Sequence, residues 1–357
     1  MLAELHYPQK LLSGQELDTY LERGWFRMGQ AIFTTNFLKF NGLLFSAIWL
    51  RIDLSKFQPS KTQHKLKKLN ARFGIEIKPT TILTPEHLIL FEKYRNHVPF
   101  EAAPSLTHLL YDDKSSNIFA SYEVNIYDDK KLIACGIFDL GKDASTGITC
   151  FYDPDYQKFS LGKYLMFLKM EFSKKQGKRF FYPGYFAPNY SMFDYKLDLA
   201  KPFLEFMDLA SSQWKTFEEF SYHETPLVEM TKKLEALSLY LIKRSFTHSL
   251  LKYEYYDAEL SVTMNGLGTF DFPMFLLCFE RDDSISNPII IYDVISAQYH
   301  LVVCEVVYRL KNETKKPDFY NENLLQITQH LFATESAEAM ALVISKSLQK
   351  TMGAVNS

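Results

Sequence analysis

The sequence predicts an α+β fold, a mixed sheet flanked by helices, and three adjacent stretches carry that prediction. Residues 118–152 read as three strands separated by turn signals. Residues 160–177 read as a capped amphipathic helix, and an aromatic-rich strand follows at once from Arg179. Composition agrees: with 47% hydrophobic and 23% charged residues the chain has the make-up of a soluble globular protein, and 15% aromatics suits sheet packing. At 357 residues it exceeds one average domain.

Taken in order, Glu16 to Glu22 reads as a short helix leading into Gly24-Trp25-Phe26-Arg27-Met28-Gly29, a glycine-bounded turn carrying one arginine. The runs Ala31–Leu38 and Leu43–Ile52 alternate or stay apolar, and Asn41-Gly42 between them is a hairpin signal, so an N-terminal hairpin is the simplest reading. Pro59-Ser60 opens a helix to about Asn70. Thr84-Pro85-Glu86 opens another to about His97, with proline at a position where its missing N–H does no harm. A short helix follows at Ser105–Tyr111. The strands then run Ile118–Tyr127, Leu132–Leu140 and Gly147–Tyr152, with turns at Asp128-Asp129 and residues 141–146.

In the next helix Ser160 is the expected N-cap and Gly177 the stop, with Leu161, Tyr164, Leu165, Leu168 and Phe172 on one face and Lys163, Glu171 and Lys174 elsewhere. The strand Arg179–Tyr182 meets Pro183-Gly184, which interrupts it and opens a cleft beside its neighbour. Beyond Pro202, Thr225–Lys243 reads as a long helix, Tyr253–Tyr308 as strands, and Glu322–Leu331 and Ser336–Leu348 as two closing helices. A meander of three antiparallel strands, a capped helix and a further strand is the order of the acetyltransferase-like (GNAT-type) fold. Residues 1–75 form an N-terminal region with the hairpin and a basic helix, 76–225 the acetyltransferase-like domain, and 226–357 a C-terminal α+β extension of unassigned role.

No apolar run reaches the roughly 20 residues a membrane-spanning helix needs, and MLAELHYPQK lacks the basic and apolar regions of a secretory signal, so a cytoplasmic protein without a membrane partner is expected. Cys135, Cys150, Cys278 and Cys304 lie among apolar neighbours without a C-x-x-C pair and read as buried free thiols. With no H-x-x-x-H pattern among the nine histidines, no metal site is expected.

The net charge of −2 hides a basic segment: across residues 51–72, Lys56, Lys61, Lys65, Lys67 and Lys68 face only Asp53. Such a helix is either a solvated face or a phosphate-backbone contact, which salt dependence separates. Tyr152, Asp153, Tyr182, Tyr185 and Tyr195 are expected around one pocket at the interrupted strand. Taken singly, aromatics at strand ends more often pack a core or a rim. At the helix start, Gln157-Lys158-Phe159-Ser160-Leu161-Gly162 corresponds to a coenzyme A pyrophosphate loop in which the first glycine has become serine, which crowds the approach to the backbone.

The run YDPDYQKFSLGKYLMFLKMEF followed by YPGYFAPNYSMFDYK resembles the C-terminal domain of the aminoacyl-tRNA-protein transferases, the arginyl-tRNA-protein transferases and bacterial leucyl-tRNA-protein transferases. Asp153-Pro154, Ser160-Leu161-Gly162, Tyr182, Gly184-Tyr185, Met192 and Tyr195-Lys196 carry the likeness. Upstream, the Gly24–Gly29 element and Phe57-Gln58-Pro59-Ser60-Lys61-Thr62-Gln63 with Lys67-Lys68-Leu69-Asn70 are similar to family elements, so the likeness spans residues 20 to 200. The chain departs from the pattern in having no cysteine between Ala31 and Leu50, Phe26-Arg27 and Met28 where the family has two arginines and a serine, and Ser191 where a lysine is usual.

The resemblance implies a transferase that needs no cofactor. It moves an amino acid, arginine or leucine, from aminoacyl-tRNA to the N-terminal amine of an acceptor protein, marking it for N-degron proteolysis. It implies that Lys61, Gln63, Lys65, Lys67 and Lys68 meet the tRNA, that Tyr182 and Tyr185 meet the aminoacyl end, and that Asp153 accepts the proton or anchors the amine. Arg27 and Lys196 would hold an acidic first side chain of the acceptor, and Tyr152, Ser160, Tyr164 and Tyr195 would complete the substrate site. A coenzyme A-dependent N-acyltransferase and a non-catalytic RNA-binding relative are the alternatives. An arginine donor calls for a carboxylate in the pocket and a leucine donor for apolar walls.

Overall fold

The computed structural model describes residues 3–80, 82–100, 102–112, 114, 117–257, 260–261, 264, 266–278, 286–310 and 317–355. The chain opens with β1 (Ala3–His6), α1 (Gly14–Glu22), β2 (Phe26–Met28) and β3 (Ala31–Thr35), then β4 (Phe37–Phe40), β5 (Leu43–Ser46) and β6 (Ile48–Asp53). After α2 (Lys61–Leu69) come β7 (Gly74–Pro79), α3 (Pro85–Arg95), α4 (Leu106–Tyr111), β8 (Ser121–Asp128), β9 (Lys131–Leu140) and β10 (Ala144–Tyr152). The helix α5 (Leu161–Lys175) leads to β11 (Phe180–Phe186), β12 (Leu204–Asp208) and β13 (Gln213–Thr216). The last part holds α6 (Pro226–Lys243), β14 (Ser249–Tyr253), β15 (Met274–Leu277), β16 (Ser286–Asp293), β17 (Gln298–Arg309), β18 (Phe319–Tyr320), β19 (Asn323–Thr334) and α7 (Ala337–Val355).

The central sheet has eight strands in the order β13-β12-β6-β11-β10-β9-β8-β7. Its pairs are antiparallel except β10 with β11, which the α5 crossover makes parallel. This is the acetyltransferase-like arrangement. Alternate residues of β9 feed two cores: Ala134 and Phe138 pack with Leu161, Leu165 and Leu168 of α5, while Cys135 and Ile137 pack with Leu90 and Phe91 of α3 and Leu106 and Leu110 of α4. A second sheet, β18-β14-β15-β16-β17-β19, shares its core with α6 and α7. No helix among the described residues is long and apolar enough to cross a membrane.

Local signals explain most of these elements. Ser13 and Glu16 form a capping box at α1, and Ser60 and Gln63 form one at α2. At Asn41-Gly42 both residues have positive φ, 51° and 74°, the turn a tight β4–β5 hairpin requires. That hairpin is shorter than the sequence suggests. Ala31–Thr35 joins β1 and β2, and Ile48–Asp53 enters the eight-stranded sheet between β12 and β11. Of the strands before residue 80, β6 and β7 thus belong to the eight-stranded sheet, while β1–β3 and β4–β5 form small sheets of their own.

Residues 74–79, between the second and third helices, form the edge strand β7. Two expectations are corrected. Ser160 does not cap α5 through its side chain: it lies in the left-handed region, φ 50° and ψ 45°, and makes no capping side-chain hydrogen bond. Glu322–Leu331 is not a helix but most of β19, whose ladder with β17 runs from Asn323 to Thr334. Leu324, Ile327 and Leu331 are spaced as on a helix, and the non-local pairing with β17 overrides that local pattern.

Candidate active site

The cleft exists because β10 and β11 part company. They pair through Ala144–Phe180, Ser145–Phe181 and Thr146–Tyr182 only. Pro183 then has no N–H to offer, Gly184 takes φ 86°, and β11 resumes pairing on its other side, with Gly184 opposite Leu50 of β6. On the far side of β10 a bulge at residues 147–149 shifts its register against β9. Between the diverging strands and under α3 and α4 lies a cleft of about 560 Å³, within the roughly 300–1,000 Å³ typical of ligand sites. Its walls are largely aromatic and aliphatic, with Phe26, Phe33, Trp49, Phe91, Tyr94, Leu109, Met166 and Phe193 among them.

Two lysines define its electrostatics. Lys169 leaves α5 among apolar neighbours and is fully buried; its Nζ donates to the carbonyl oxygens of Ile137 (2.8 Å) and Thr149 (2.7 Å) and to Cys150 Sγ (3.2 Å). The amine thus has three polar partners, two carbonyl oxygens and a sulfur. Gly136 makes room for it, because a Cβ there would stand 2.7 Å from Lys169 Cε. The bulge gives the amine its seat in the floor of the cleft.

Lys196 sits where β11 leaves β10. Its Nζ donates to the Tyr185 carbonyl at 2.6 Å and lies 4.8 Å from the Phe193 ring centre and 5.2 Å from that of Tyr185. Burial lowers its pKa to about 7, with the nearby Cys150 thiol working weakly the other way. Tyr185 packs edge-on against Trp49 at 5.0 Å, and burial, helped by the charge of Asp257, pushes its phenol up to about 12.

Of the residues expected at the site, Tyr185, Tyr195 and Lys196 line the cleft together. Tyr182 does not share it. Its hydroxyl reaches Glu22 Oε2 at 3.3 Å, its ring packs on Trp214 and Phe26, and burial followed by the Glu22 charge raises its pKa. Asp153 is not among the residues that line the cleft. It starts the 3-10 turn Pro154–Phe159, and its oxygens hold Lys93 (2.5 Å) and Lys131 (2.7 Å). Burial opposes its ionisation, but the two lysines outweigh it and hold the carboxyl at about 2.

Arg27 touches the cleft wall but has no free face for a carboxylate. It is buried against Asp139 (3.0 Å), Ser121 Oγ and the carbonyls of Gly29 and Leu110, and so ties β2 to β8, β9 and α4. Tyr152 lies beside Tyr94, and its ring covers Gly162 in the first turn of α5, 3.3 Å from where a Cβ would be. Tyr164 is buried on the α2 side of α5, and Ser160 is exposed at the helix start. On α2, Lys61, Lys65, Lys67 and Lys68 are exposed, Lys67 pairing with Glu171 at 3.3 Å. Gln63, unlike the lysines, is buried in the capping box with its Nε2 on the Leu199 carbonyl. Trp49, Tyr94, Asp112, Cys150 and Lys169 are cleft residues that sequence reading missed. A lysine in the apolar run LMFLKMEF was the one available signal.

Residues 86–204 match the family described as arginine-tRNA-protein transferase, C terminus. The chain is 29% identical over 185 residues to an aspartate/glutamate leucyltransferase of Campylobacter jejuni, covering 50% of this chain and 74% of that one. It is 30% identical over 179 residues to that of Saccharophagus degradans, covering 48% and 72%. Among solved structures it is similar to FemX (8% identity, 53% of this chain and 64% of that one, TM-score 0.31) and to a tandem GNAT protein of the clavulanic acid pathway (10%, 55% and 58%, TM-score 0.33). Those overlaps are partial, and the fold rests on the strand order itself. A split-strand cleft with a lysine at each side, on a chain with these relatives, belongs to the aminoacyl-tRNA-protein transferase family, enzymes that use charged tRNA to extend the N-terminus of an acceptor protein.

Proposed function

We propose that the chain transfers leucine from leucyl-tRNA to the N-terminal amine of proteins that begin with an acidic residue, marking them for N-degron proteolysis in the cytoplasm. The observation that carries the choice of donor is the lining of the cleft: apolar walls, two lysines and, among the described residues, one carboxylate, Asp112. A leucine side chain gains by burial there. An arginine donor brings two cations to one acid, and a buried unpaired charge is expensive. Both leucyltransferase relatives favour the same reading.

An ester is already activated, so catalysis consists of positioning, removing a proton from the attacking amine and stabilising the oxyanion. The acceptor nitrogen adds to the ester carbonyl, forming the C–N bond. As the C–O bond to the terminal ribose breaks, the proton on nitrogen passes through Lys196 Nζ to the departing ribose oxygen. An α-amine has a pKa of roughly 7.7–8.0, so a lysine at about 7 accepts that proton with little uphill cost. The buried Lys169 ammonium makes the floor positive, which favours both the oxyanion and an acidic first side chain on the acceptor. The exposed lysines of α2 are assigned to the tRNA backbone.

Separately charged, labelled leucyl-, phenylalanyl- and arginyl-tRNAs, each offered to peptides beginning with Asp, Glu, Asn or Arg, test the reading. Leucine should pass to the Asp and Glu peptides. Transfer of arginine alone, or acylation from acetyl-CoA with no use of charged tRNA, would overturn it.

A further inference from the structure

Asp112 has a place in the cleft that the reaction described above leaves unused. It follows α4 in the left-handed conformation, φ 48°, which Asp adopts more readily than most residues. One oxygen, Oδ2, accepts the backbone N–H of Gln30 at 2.8 Å. The carboxylate lies flat on Gly29, where an added Cβ would stand 1.8 Å from Oδ1; the position is therefore closed to any side chain. Among the described residues no lysine or arginine pairs with Asp112, although it lines a cleft whose other charged groups are Arg27, Lys169 and Lys196. The carboxylate is thus fixed in place, and its charge is unanswered.

Charge balance in the reacting complex says what answers it. The acceptor amine must be neutral to attack. The donor's own α-amine does not attack and so need not lose its proton, and an α-amine with a pKa of roughly 7.7–8.0 is largely an ammonium at pH 7. It is the single cation that a leucyl ester brings into the cleft. We propose that Asp112 anchors the α-ammonium of the donor aminoacyl group, so that the enzyme selects esters with a free amine over N-acylated or α-hydroxy esters. The proposal rests on the cleft being the donor site. Asp112 binds substrate and takes no part in proton transfer.

The test compares tRNA charged with leucine and tRNA charged with its α-hydroxy counterpart, in which a hydroxyl replaces the amine, both with a labelled peptide beginning with Glu. The intact enzyme should prefer the amino ester by about 10- to 100-fold in kcat/KM, the range expected for one charge-assisted hydrogen-bonded pair. D112N should lose that factor with the leucyl ester and keep the hydroxy-ester rate, so the preference collapses; D112E should recover part of it. The hydroxy-ester rate also reports in the same sample whether the variant is folded. Equal losses with both esters, or a preference unchanged in D112N, would overturn the anchor while leaving the leucyl-transfer reading intact. No transfer from either ester by the intact enzyme would bring down both.

Discussion

At the residue scale the proposed chemistry turns on Lys196, which lines the cleft, and not on Asp153, which does not. A lysine that titrates near 7 is charged below that pH and neutral above it, so the transfer rate should rise with pH through about 7. K196M should lower kcat/KM by about 10²- to 10⁴-fold and abolish that rise; a variant that keeps the rising limb would show another base at work. The same shift sets stability. Between about 7 and 10.5 the unfolded lysine binds a proton the folded one does not, so stability climbs with pH across that window. K196M should therefore melt several degrees higher than the parent at pH 7, with the difference gone near pH 10.5, as scanning calorimetry can check.

Asp153 behaves in the opposite way. Its low pKa makes it stabilising above pH ~4, an effect lost as pH falls toward 2. D153N should lower stability by about 1–2 kcal/mol at pH 7, since Lys93 and Lys131 are half-exposed, and leave transfer per folded molecule within a few-fold. A loss of several orders of magnitude in transfer, with the fold intact, would return Asp153 to the reaction.

At the scale of elements, β11 and α5 build the cleft between them. Pro183-Gly184 breaks the ladder to β10, and α5 sends Lys169 through the bulged edge of that strand. The two elements are joined by the crossover that makes their strands parallel, which is why one short stretch of chain supplies both sides of the site. Helix α2 is a separate device. Its buried Gln63 and Leu66 hold it to the body while its lysines face solvent. Reversing two of them, K67E with K68E, should weaken tRNA binding at least tenfold at low salt. It should also reduce the slope of log K against log salt by about 1.5–2, with the peptide KM unaffected. An unchanged slope would make α2 a solvated face only.

At the scale of the molecule, the C-terminal part meets the cleft wall from behind. Tyr256 is buried between the sheets; its hydroxyl donates to the Phe37 carbonyl at 3.2 Å and lies 3.0 Å from Thr35 Oγ1. The Thr35 carbonyl accepts the Trp49 indole N–H at 3.0 Å, and Trp49 supports Tyr185. We propose residues 226–357 as a unit whose role includes holding that wall. Y256F should cost about 1–2 kcal/mol in denaturant unfolding and lower kcat by a few-fold without changing tRNA affinity. Full activity in a variant destabilised to that extent would show that the wall does not depend on this support.

The sequence by itself determined what short-range rules can write. It placed the β8–β9–β10 meander, the Asn41-Gly42 turn, the Pro59-Ser60 start of α2, the amphipathic face of α5 and the interruption at Pro183-Gly184, because each depends on a few neighbouring residues. Adjacency in sequence also put Tyr185, Tyr195 and Lys196 near one another. Only the tertiary structure decided which chemistry each group is left with. Asp153 is taken up by lysines 60 and 22 residues away, Arg27 by an aspartate 112 residues away, and Tyr182 by Glu22 across the sheet. Lys169, Asp112 and Trp49 come to the cleft from helix, loop and a distant strand. Strand β19 likewise became a strand by pairing with β17. Burial and partnership set ionisation and reactivity, and both are properties of contacts between segments that no local pattern records.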